Sequence, residues 1–418
     1  MTKSNIRKLK TATYISSFSM SVVGNLPPLL FLTFKTLYGI SYSLLGFLVL
    51  INFVTQLGVD LIFSFFSHKF NVPKTVRAMP LITIVGLGIY ALSPYLYPNS
   101  VYLGLVIGTV GFSAAAGLGE VLGSPIIAAL PAKDPDREMS KLHSVYAWGV
   151  VFVIIISTLF LLAFGKASWS VLTLIFCIIP LASAILFFGS EIPELKTEGG
   201  SCEVGRIFKS PALWASVLAI FFGGAAEVTM AQWSSGYLEQ ALGIPKVWGD
   251  VFGVAVFALT LGIGRTMYAK IGKNISKILT LGGIGAVICY LTAAFTSNPI
   301  IGLIACGFTG LCTAMLWPGN LMVVAERFPT GGVFIYAMMA AGGDLGASVA
   351  PQLVGVITDY AAVNPTLLSL ASNLGMTASQ LGMKLGLIVG AIFPLLGVIF
   401  YAGFWKRERA KNKLKTEG

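Results

Sequence analysis

Twelve apolar segments, each about 20 residues or longer and separated by short polar stretches, constrain this chain more than any other feature. A helix of about 20 apolar residues spans the hydrocarbon core of a bilayer. Soluble domains carry about 25% charged residues, whereas this 418-residue chain carries 11% and is 56% hydrophobic. The pattern therefore predicts an all-α membrane protein with twelve transmembrane helices. The predicted spans are residues 12–34, 42–67, 76–97, 101–130, 141–164, 168–190, 211–236, 247–270, 277–296, 299–325, 331–360 and 384–405.

Basic residues predict the orientation, because cytoplasmic loops carry an excess of Lys and Arg. Both termini and the loops between spans 2 and 3, 4 and 5, and 8 and 9 are basic, whereas the opposite loops contain few basic residues. The basic residues in those opposite loops are Lys35, Lys166, Lys246 and Lys384. We therefore expect both termini to be cytoplasmic, in the cytoplasmic (inner) membrane. The net charge of +11 does not indicate nucleic acid, since the cations lie in short runs between apolar segments.

The same distribution of residues argues against an enzyme. The polar loops are too short for a catalytic domain, and no catalytic residues are expected. The five cysteines form no CxxC or Cys/His cluster, so we expect no metal. No phosphate-binding loop occurs, so no cofactor and no direct use of ATP is predicted.

An internal repeat relates the two parts of the chain. Three residues of span 4 recur in span 10 at an offset of 193, and the same offset relates spans 5 and 11. The matches are Gly117 with Gly310, Leu118 with Leu311, Pro125 with Pro318, Gly149 with Gly342 and, at another offset, Gly39-Ile40 with Gly243-Ile244. The repeat predicts two pseudo-symmetric six-helix halves, residues 1–190 and 211–418, joined by a cytoplasmic linker at 191–210; the second half ends in a basic tail. Such duplicated halves build transporters.

Three stretches resemble the fucose-permease-like sugar transporters of the major facilitator superfamily. They are span 4 around Glu120, the GxGR at Gly262–Arg265, and GGDLGASVAPQLVG at Gly342–Gly355. The resemblance to the superfamily covers nearly the whole chain and implies the major facilitator fold and a monomeric transporter. The signature loop after span 2 keeps only its basic position, Lys69. The fucose-permease group is expected to have acids in spans 1 and 4, whereas span 1 here offers Asn25 and no acid.

Three acids inside spans are candidates for proton coupling: Glu120, Glu227 and Asp344. A carboxylate in a low-dielectric environment favours its protonated form, so it can take up a proton on one side of a membrane and release it on the other. Glu120 has no counterpart in the repeat, where Thr313 stands. The alternative role for Glu120 is a hydrogen bond between helices, and for Asp344 a structural bond to a neighbouring helix.

Neutral polar and aromatic residues within spans are candidates for substrate binding, since sugars stack on aromatic rings and hydrogen-bond through their hydroxyls. These candidates are Asn25, Gln232, Trp233, Trp317 and Asn320. Bonds between helices are the alternative role for the amides, and anchoring at the membrane interface is the alternative for Trp233.

The candidates for gating are Asp60, Lys69 and Arg265. Asp60 lies one helical turn before the signature loop and is a candidate to replace its missing acid. Arg265 cannot deprotonate, so it needs an acid or water near the membrane. Asp344 and Glu326 are the two acids considered for that role.

These features predict a secondary active transporter that works by alternating access, with a small-molecule substrate and protons as the coupling ion. Proton-coupled uptake of a sugar or similar polyol is the principal hypothesis. The alternatives are proton-driven efflux of an apolar or cationic compound and a membrane sensor that binds its ligand without moving it. We expect the external segment 361–383 to form a surface cap.

Overall fold

The structure, a computed structural model, describes residues 1–40, 42–195, 201–244 and 248–417. Every regular element in these ranges is a helix. Spans 1 to 6 are the helices Lys3–Tyr38, Tyr42–Phe66, Val72–Ala91, Val101–Ala129, Pro135–Phe164, and the pair Trp169–Phe176 and Ile178–Phe188. Spans 7 to 12 are Pro211–Leu242, a π-helix Gly249–Ala255 continued by Val256–Ile271, Ile275–Phe295, the pair Pro299–Thr313 and Pro318–Arg327, Gly332–Val363, and Ala378–Glu417. Short helices lie between spans at Ser67–Lys69, Ser93–Leu96, Lys166–Ser168, Ser201–Phe208 and Pro365–Asn373.

The twelve-span prediction is confirmed. Among the described residues, eleven helices are long and apolar enough to cross a membrane, and the 36-residue helix of span 1 is the twelfth long helix. At 1.5 Å per residue that helix is about 54 Å long, which exceeds the roughly 30 Å of a bilayer core. Span 5 begins at Pro135, before the predicted residue 141, because Asp134 caps the helix by accepting a hydrogen bond from the Arg137 backbone N–H.

The chain divides into two compact units. The first consists of Met1–Ile207 with Phe328–Ala341, and the second of Phe208–Arg327 with Gly342–Gly418. The segment Phe328–Ala341 includes the start of span 11. This division therefore differs from the predicted one, in which all of span 11 belongs to the second half. Within the first unit, the ring of Phe334 lies edge-on to that of Phe65 on span 2, with centroids 6.2 Å apart. Of the predicted linker, residues 196–200 lie outside the described part of the chain.

Matched glycines of the repeat make matched contacts. A methyl group on Gly117 of span 4 would lie 3.3 Å from the Cα of Gln56 on span 2, and one on Gly310 of span 10 would lie 2.1 Å from the carbonyl oxygen of Phe257 on span 8. Span 4 therefore packs on span 2 as span 10 packs on span 8, at the same position of the repeat.

A second matched pair behaves in the same way. A methyl group on Gly149 would lie 2.2 Å from the Ser21 hydroxyl oxygen, so span 5 packs closely on span 1. A methyl group on Gly342 would lie 2.8 Å from a Val217 methyl carbon, so span 11 packs closely on span 7. Each unit is therefore built from the same helix contacts.

The third matched pair ends the first span of each half. Gly39 and Gly243 have φ angles of +65° and +69°, the left-handed conformation that glycine adopts without steric cost. At Gly243 the backbone N–H groups of Gly243 and Ile244 bond back to the carbonyls of Glu239 and Leu238, which stops the helix.

Candidate transport site

A buried ion pair joins spans 7 and 8 in the second unit. Nη2 of Arg265 donates to both carboxylate oxygens of Glu227, at 2.8 Å and 3.0 Å, and the two side chains are 3% and 12% exposed. Glu227 lies within one residue of the middle of its 32-residue helix, so the pair is far from both helix ends. The sequence suggested Asp344 and Glu326 as acids for Arg265, and the structure adds Glu227, which was not considered for that role. Charges at membrane depth are costly unless compensated, and here each compensates the other.

A break in span 10 supplies a further acceptor for Arg265. The helix ends at Thr313 and resumes at Pro318. Because proline has no backbone N–H, Pro318 leaves the carbonyl of Ala314, four residues earlier, without its helical donor. Nε of Arg265 donates to that carbonyl at 2.9 Å. The guanidinium therefore binds a carboxylate on span 7 and a carbonyl on span 10.

Trp317 lies in the same break. A methyl group on Gly343 of span 11 would come 2.3 Å from one ring carbon of Trp317, and one on Gly224 of span 7 would come 3.0 Å from another. Gly224 is one helical turn before Glu227, and Gly343 directly precedes Asp344, which is buried at 6% exposure. The half-buried indole therefore lies near the ion pair and beside Gly343, the residue before Asp344.

Other substrate candidates in the second unit make bonds within the protein. The indole N–H of Trp233 donates to the Pro351 carbonyl at 3.0 Å, and its ring lies against Gly355, so it joins spans 7 and 11. Asn320 is 1% exposed and donates through Nδ2 to the Leu316 carbonyl beside the break. Gln232 is exposed. These contacts fit the alternative roles of Trp233 and Asn320 in holding helices together.

In the first unit, Glu120 lies half-buried on span 4. It is five residues past Ala115, the middle residue of the 29-residue helix. Ser113, two turns earlier on nearly the same face, donates to the side-chain oxygen of Asn52 on span 2 at 2.6 Å. A methyl group on neighbouring Gly119 would meet the Met20 sulfur at 3.0 Å, so span 1 approaches span 4 closely here. The Glu120 carboxyl group therefore lies on nearly the same helix face as the uncharged hydrogen bond between Ser113 and Asn52.

The remaining candidates of the first unit differ in how deeply they are buried. Asn25 is half-buried, and its Nδ2 donates to the Ser21 carbonyl of its own helix at 2.9 Å. Asp60 is wholly buried at 0% exposure, whereas Lys69 is exposed on the short helix after span 2, with its ammonium 5.0 Å from the ring centroid of Phe66. The two gating candidates therefore occupy different environments.

Glu138, an acid at the start of span 5, was not among the residues predicted from the sequence. It accepts from the Tyr14 hydroxyl at 2.9 Å and from Lys141 at 2.8 Å, and it forms an ion pair with Lys10. Tyr14 and Lys10 belong to span 1, so this cluster ties spans 1 and 5 together. The sequence contained a signal for this role, because the Asp134-Pro135 cap places Glu138 in the first turn of the helix, where an acid is favourable.

The described residues contain no group of three or more His, Cys, Asp or Glu side chains arranged to hold a metal ion. The candidate residues of the two units offer carboxyl groups, the Arg265 guanidinium, the Lys69 ammonium, amides and indoles. This set can bind protons and hydroxyl-bearing solutes.

Solved structures similar to this chain include three sugar transporter structures. The first is FucP, a major facilitator superfamily transporter in the outward conformation, with a TM-score of 0.69 and 15% identity over 93% of this chain and 98% of that chain. The second is the E. coli fucose:proton symporter FucP, with a TM-score of 0.66 and 14% identity over 93% of this chain and 98% of that chain. The third is the proton:xylose symporter XylE bound to 6-bromo-6-deoxy-D-glucose, with a TM-score of 0.76 and 13% identity over 97% of each chain. At these identities the similarity shows the fold alone.

No curated protein matches the chain by sequence. The sequence profile of the Major Facilitator Superfamily matches residues 12–351, which is more than half of the chain. Together with the twelve spans and the repeated helix contacts, this match shows that the chain belongs to the major facilitator superfamily.

Proposed function

We propose that this transporter takes up a neutral sugar or similar polyol together with protons, across the cytoplasmic membrane and with both termini in the cytoplasm. The observation that carries the proposal is the buried Glu227–Arg265 pair on the carbonyl that Pro318 frees. The symporters named among the similar solved structures carry fucose and xylose with protons, which supports the same class of substrate here.

The ion pair provides a way to couple a proton to helix movement. Proton uptake by Glu227 removes the negative charge that Arg265 binds, while Arg265 itself stays charged. The guanidinium then keeps its bond to the Ala314 carbonyl and loses its strongest bond to span 7. Protonation therefore loosens span 7 from spans 8 and 10, and loss of the proton restores the link.

Glu120 is the second proton site in this proposal. It has no charged counterpart at the equivalent repeat position, where Thr313 ends the first helix of span 10. The first unit contributes Glu120 on span 4, and the second contributes Glu227 on span 7, whose partner Arg265 also binds the carbonyl at the span 10 break. Asp344, buried beside Gly343, is the third candidate.

Substrate contacts follow from the side chains that the helices present. In the second unit, Trp317 offers an aromatic face for the C–H side of a sugar ring and Gln232 an amide group for its hydroxyls. In the first unit, Asn25 offers an amide group for the same purpose. Trp233 and Asn320 hold helices in position through the carbonyls they bind. Asp60, Lys69 and Arg265 are the gating residues of this proposal: Asp60 is buried on span 2, Lys69 is exposed after it, and Arg265 links span 8 to spans 7 and 10.

The test is uptake of labelled sugars into proteoliposomes with and without an inward proton gradient. For one proton per sugar, a gradient of one pH unit supports up to about tenfold accumulation, since one pH unit is worth about 1.4 kcal/mol. A membrane potential of 100 mV, negative inside, adds about 2.3 kcal/mol. A sugar that equilibrates without accumulating would contradict proton coupling. Gradient-driven exit of a dye or amphiphile, with no sugar accumulating, would assign export instead.

Substitution of the first-unit acid separates coupling from substrate passage. E120Q should lose gradient-driven accumulation and keep sugar counterflow, because the exchange needs no net proton movement. Glu194 is exposed and lies outside the spans, so E194Q is the matched control and should accumulate sugar as the wild type does. Unchanged concentrative uptake by E120Q would remove Glu120 from the mechanism.

A further inference from the structure

A polar groove in the first unit lies where three spanning helices reach the membrane surface. It is lined by Ser4, Asn5 and Lys8 from the start of span 1, Arg77 from span 3, and Ser190 and Glu191 after span 6. Its volume is about 790 Å³ including its opening to solvent. None of the transport candidates lines it.

The walls of the groove are fixed by bonds between its own residues. Nδ2 of Asn5 donates to the Glu191 carbonyl at 2.9 Å, and the Glu191 backbone N–H donates to Oδ1 of Asn5 at 2.8 Å. Nη2 of Arg77 donates to the Ser190 carbonyl at 3.1 Å, and its Nε lies 3.5 Å from the Phe187 carbonyl. These bonds hold the start of span 1 and the side chain of Arg77 against the end of span 6.

The groove presents an excess of positive charge. Lys8 is exposed, and Arg77 is half-buried with two of its five N–H groups directed to backbone carbonyls at the end of span 6 and just after it. The nearby exposed cations Lys3 and Lys74 add to this charge, and Glu191 is the acid that lines the groove. The exposed Ser4 hydroxyl provides a further donor, so the chemistry suits the oxygens of a phosphate group.

An apolar stripe leads from the groove along span 6. Leu181, Ile185 and Phe188 lie at helical spacing on one face and are 48%, 65% and 59% exposed. Phe188 also lines the groove. An occupant with an anionic head and apolar chains would therefore contact both regions at once, whereas a soluble anion would contact the polar part alone.

We propose that this groove binds an anionic phospholipid, with its phosphate on Lys8 and Arg77 and an acyl chain along the stripe of Leu181, Ile185 and Phe188. With the orientation proposed above, the lipid comes from the cytoplasmic leaflet, whose anionic lipids attract basic residues near the membrane surface. Bound there, it joins the start of span 1 to spans 3 and 6 and stabilises the first unit.

The experiment measures lipid binding to the full-length protein in neutral detergent, by native mass spectrometry and by thermal unfolding. Phosphatidylglycerol is titrated against phosphatidylcholine, with inorganic phosphate and glycerol phosphate as soluble probes. Phosphatidylglycerol should bind and raise the melting temperature more than phosphatidylcholine does. Equal binding of the two lipids, or stabilisation by a soluble phosphate equal to that by phosphatidylglycerol, would overturn the assignment.

Variants locate the site. K8Q should weaken phosphatidylglycerol binding about fivefold, the expected effect of one cation near an anionic surface. Lys8 is exposed, so this variant keeps the fold. K133Q removes another exposed cation, which lies outside the groove, and should bind as the wild type does. R77Q should weaken binding further. Because Arg77 also bonds to the end of span 6 and could affect the fold, K8Q is the variant that tests the proposal. Unchanged binding by K8Q would overturn the proposal.

Discussion

Removing Glu227 should destabilise the protein more than removing Arg265, and removing both should be better tolerated than removing Glu227 alone. Loss of one partner of a buried ion pair costs about 3–5 kcal/mol, because the other charge is left uncompensated. E227A leaves a guanidinium that cannot give up its proton at mid-membrane depth. R265M leaves a carboxyl group that can neutralise itself by binding a proton, so its cost should be smaller.

The magnitude for the double variant follows from the bonds in the structure. E227A/R265M removes both charges and leaves the Ala314 carbonyl without the Nε donor that lies 2.9 Å from it. An unsatisfied buried acceptor costs about 1–3 kcal/mol, and apolar replacement of a buried pair is otherwise often neutral. Adding R265M to a protein that already lacks Glu227 should therefore recover about 2 kcal/mol.

The assay is thermal unfolding of the purified variants in detergent, followed by tryptophan fluorescence. A change of 1 kcal/mol shifts the melting temperature by about 2–4 °C in a domain of 150–250 residues. The double variant should therefore melt about 4–8 °C above E227A, with R265M also above E227A. A double variant that melts below E227A would refute the reasoning, since it would show that Arg265 stabilises the protein without Glu227.

Two further substitutions test contacts in the second unit. The buried ammonium of Lys384 donates to two carbonyls at the end of span 9, so K384M should lower the free energy of unfolding by about 1–3 kcal/mol. Exposed Lys273 provides the control K273M, which should stay within about 0.5 kcal/mol of the wild type; equal effects of the two would contradict the contact. G343A should displace the Trp317 ring, which a methyl group would approach to 2.3 Å, and so reduce both sugar uptake and the melting temperature. G403A meets nothing within 4 Å and should be neutral or slightly stabilising; normal uptake by G343A would show that the ring position is unimportant.

The spans and the repeat could be predicted because they depend on local properties of the sequence. Apolar length sets the number of helices, and the matched glycines mark positions where backbones approach or where a helix must stop. Gly39 and Gly243 illustrate this point, since they are matched in sequence and share the left-handed conformation. The start of span 5 was placed too late, because hydropathy does not detect the Asp134 cap.

The pairing of Arg265 depends on information that apolar length does not contain. Whether an acid reaches the guanidinium is decided by the rotation of spans 7 and 8 and by the break in span 10, and these place Glu227 against it. Part of the signal was accessible, because Pro318 necessarily frees the carbonyl of Ala314. The direction from which a donor reaches that carbonyl required the packed helices.

The bonds of Trp233 and Asn320 illustrate a second limit. Residue type indicates that an indole or amide inside a span needs a hydrogen-bond partner, but it does not distinguish a sugar hydroxyl from a backbone carbonyl. The structure provides carbonyls for both side chains, those of Pro351 and Leu316. Trp317 differs, since its ring packs on glycine backbone beside the break in span 10.

The most direct test of the account is to add the transported sugar to lightly buffered proteoliposomes without an imposed gradient and to record the external pH. The account predicts that sugar entry carries protons inward, so the external solution becomes more alkaline with the wild type and with E194Q. The same addition should give no pH change with E227Q or E120Q, while sugar counterflow persists. Sugar entry into wild-type proteoliposomes without any alkalinisation, or an unchanged proton signal in E227Q, would contradict the role assigned to the Glu227–Arg265 pair.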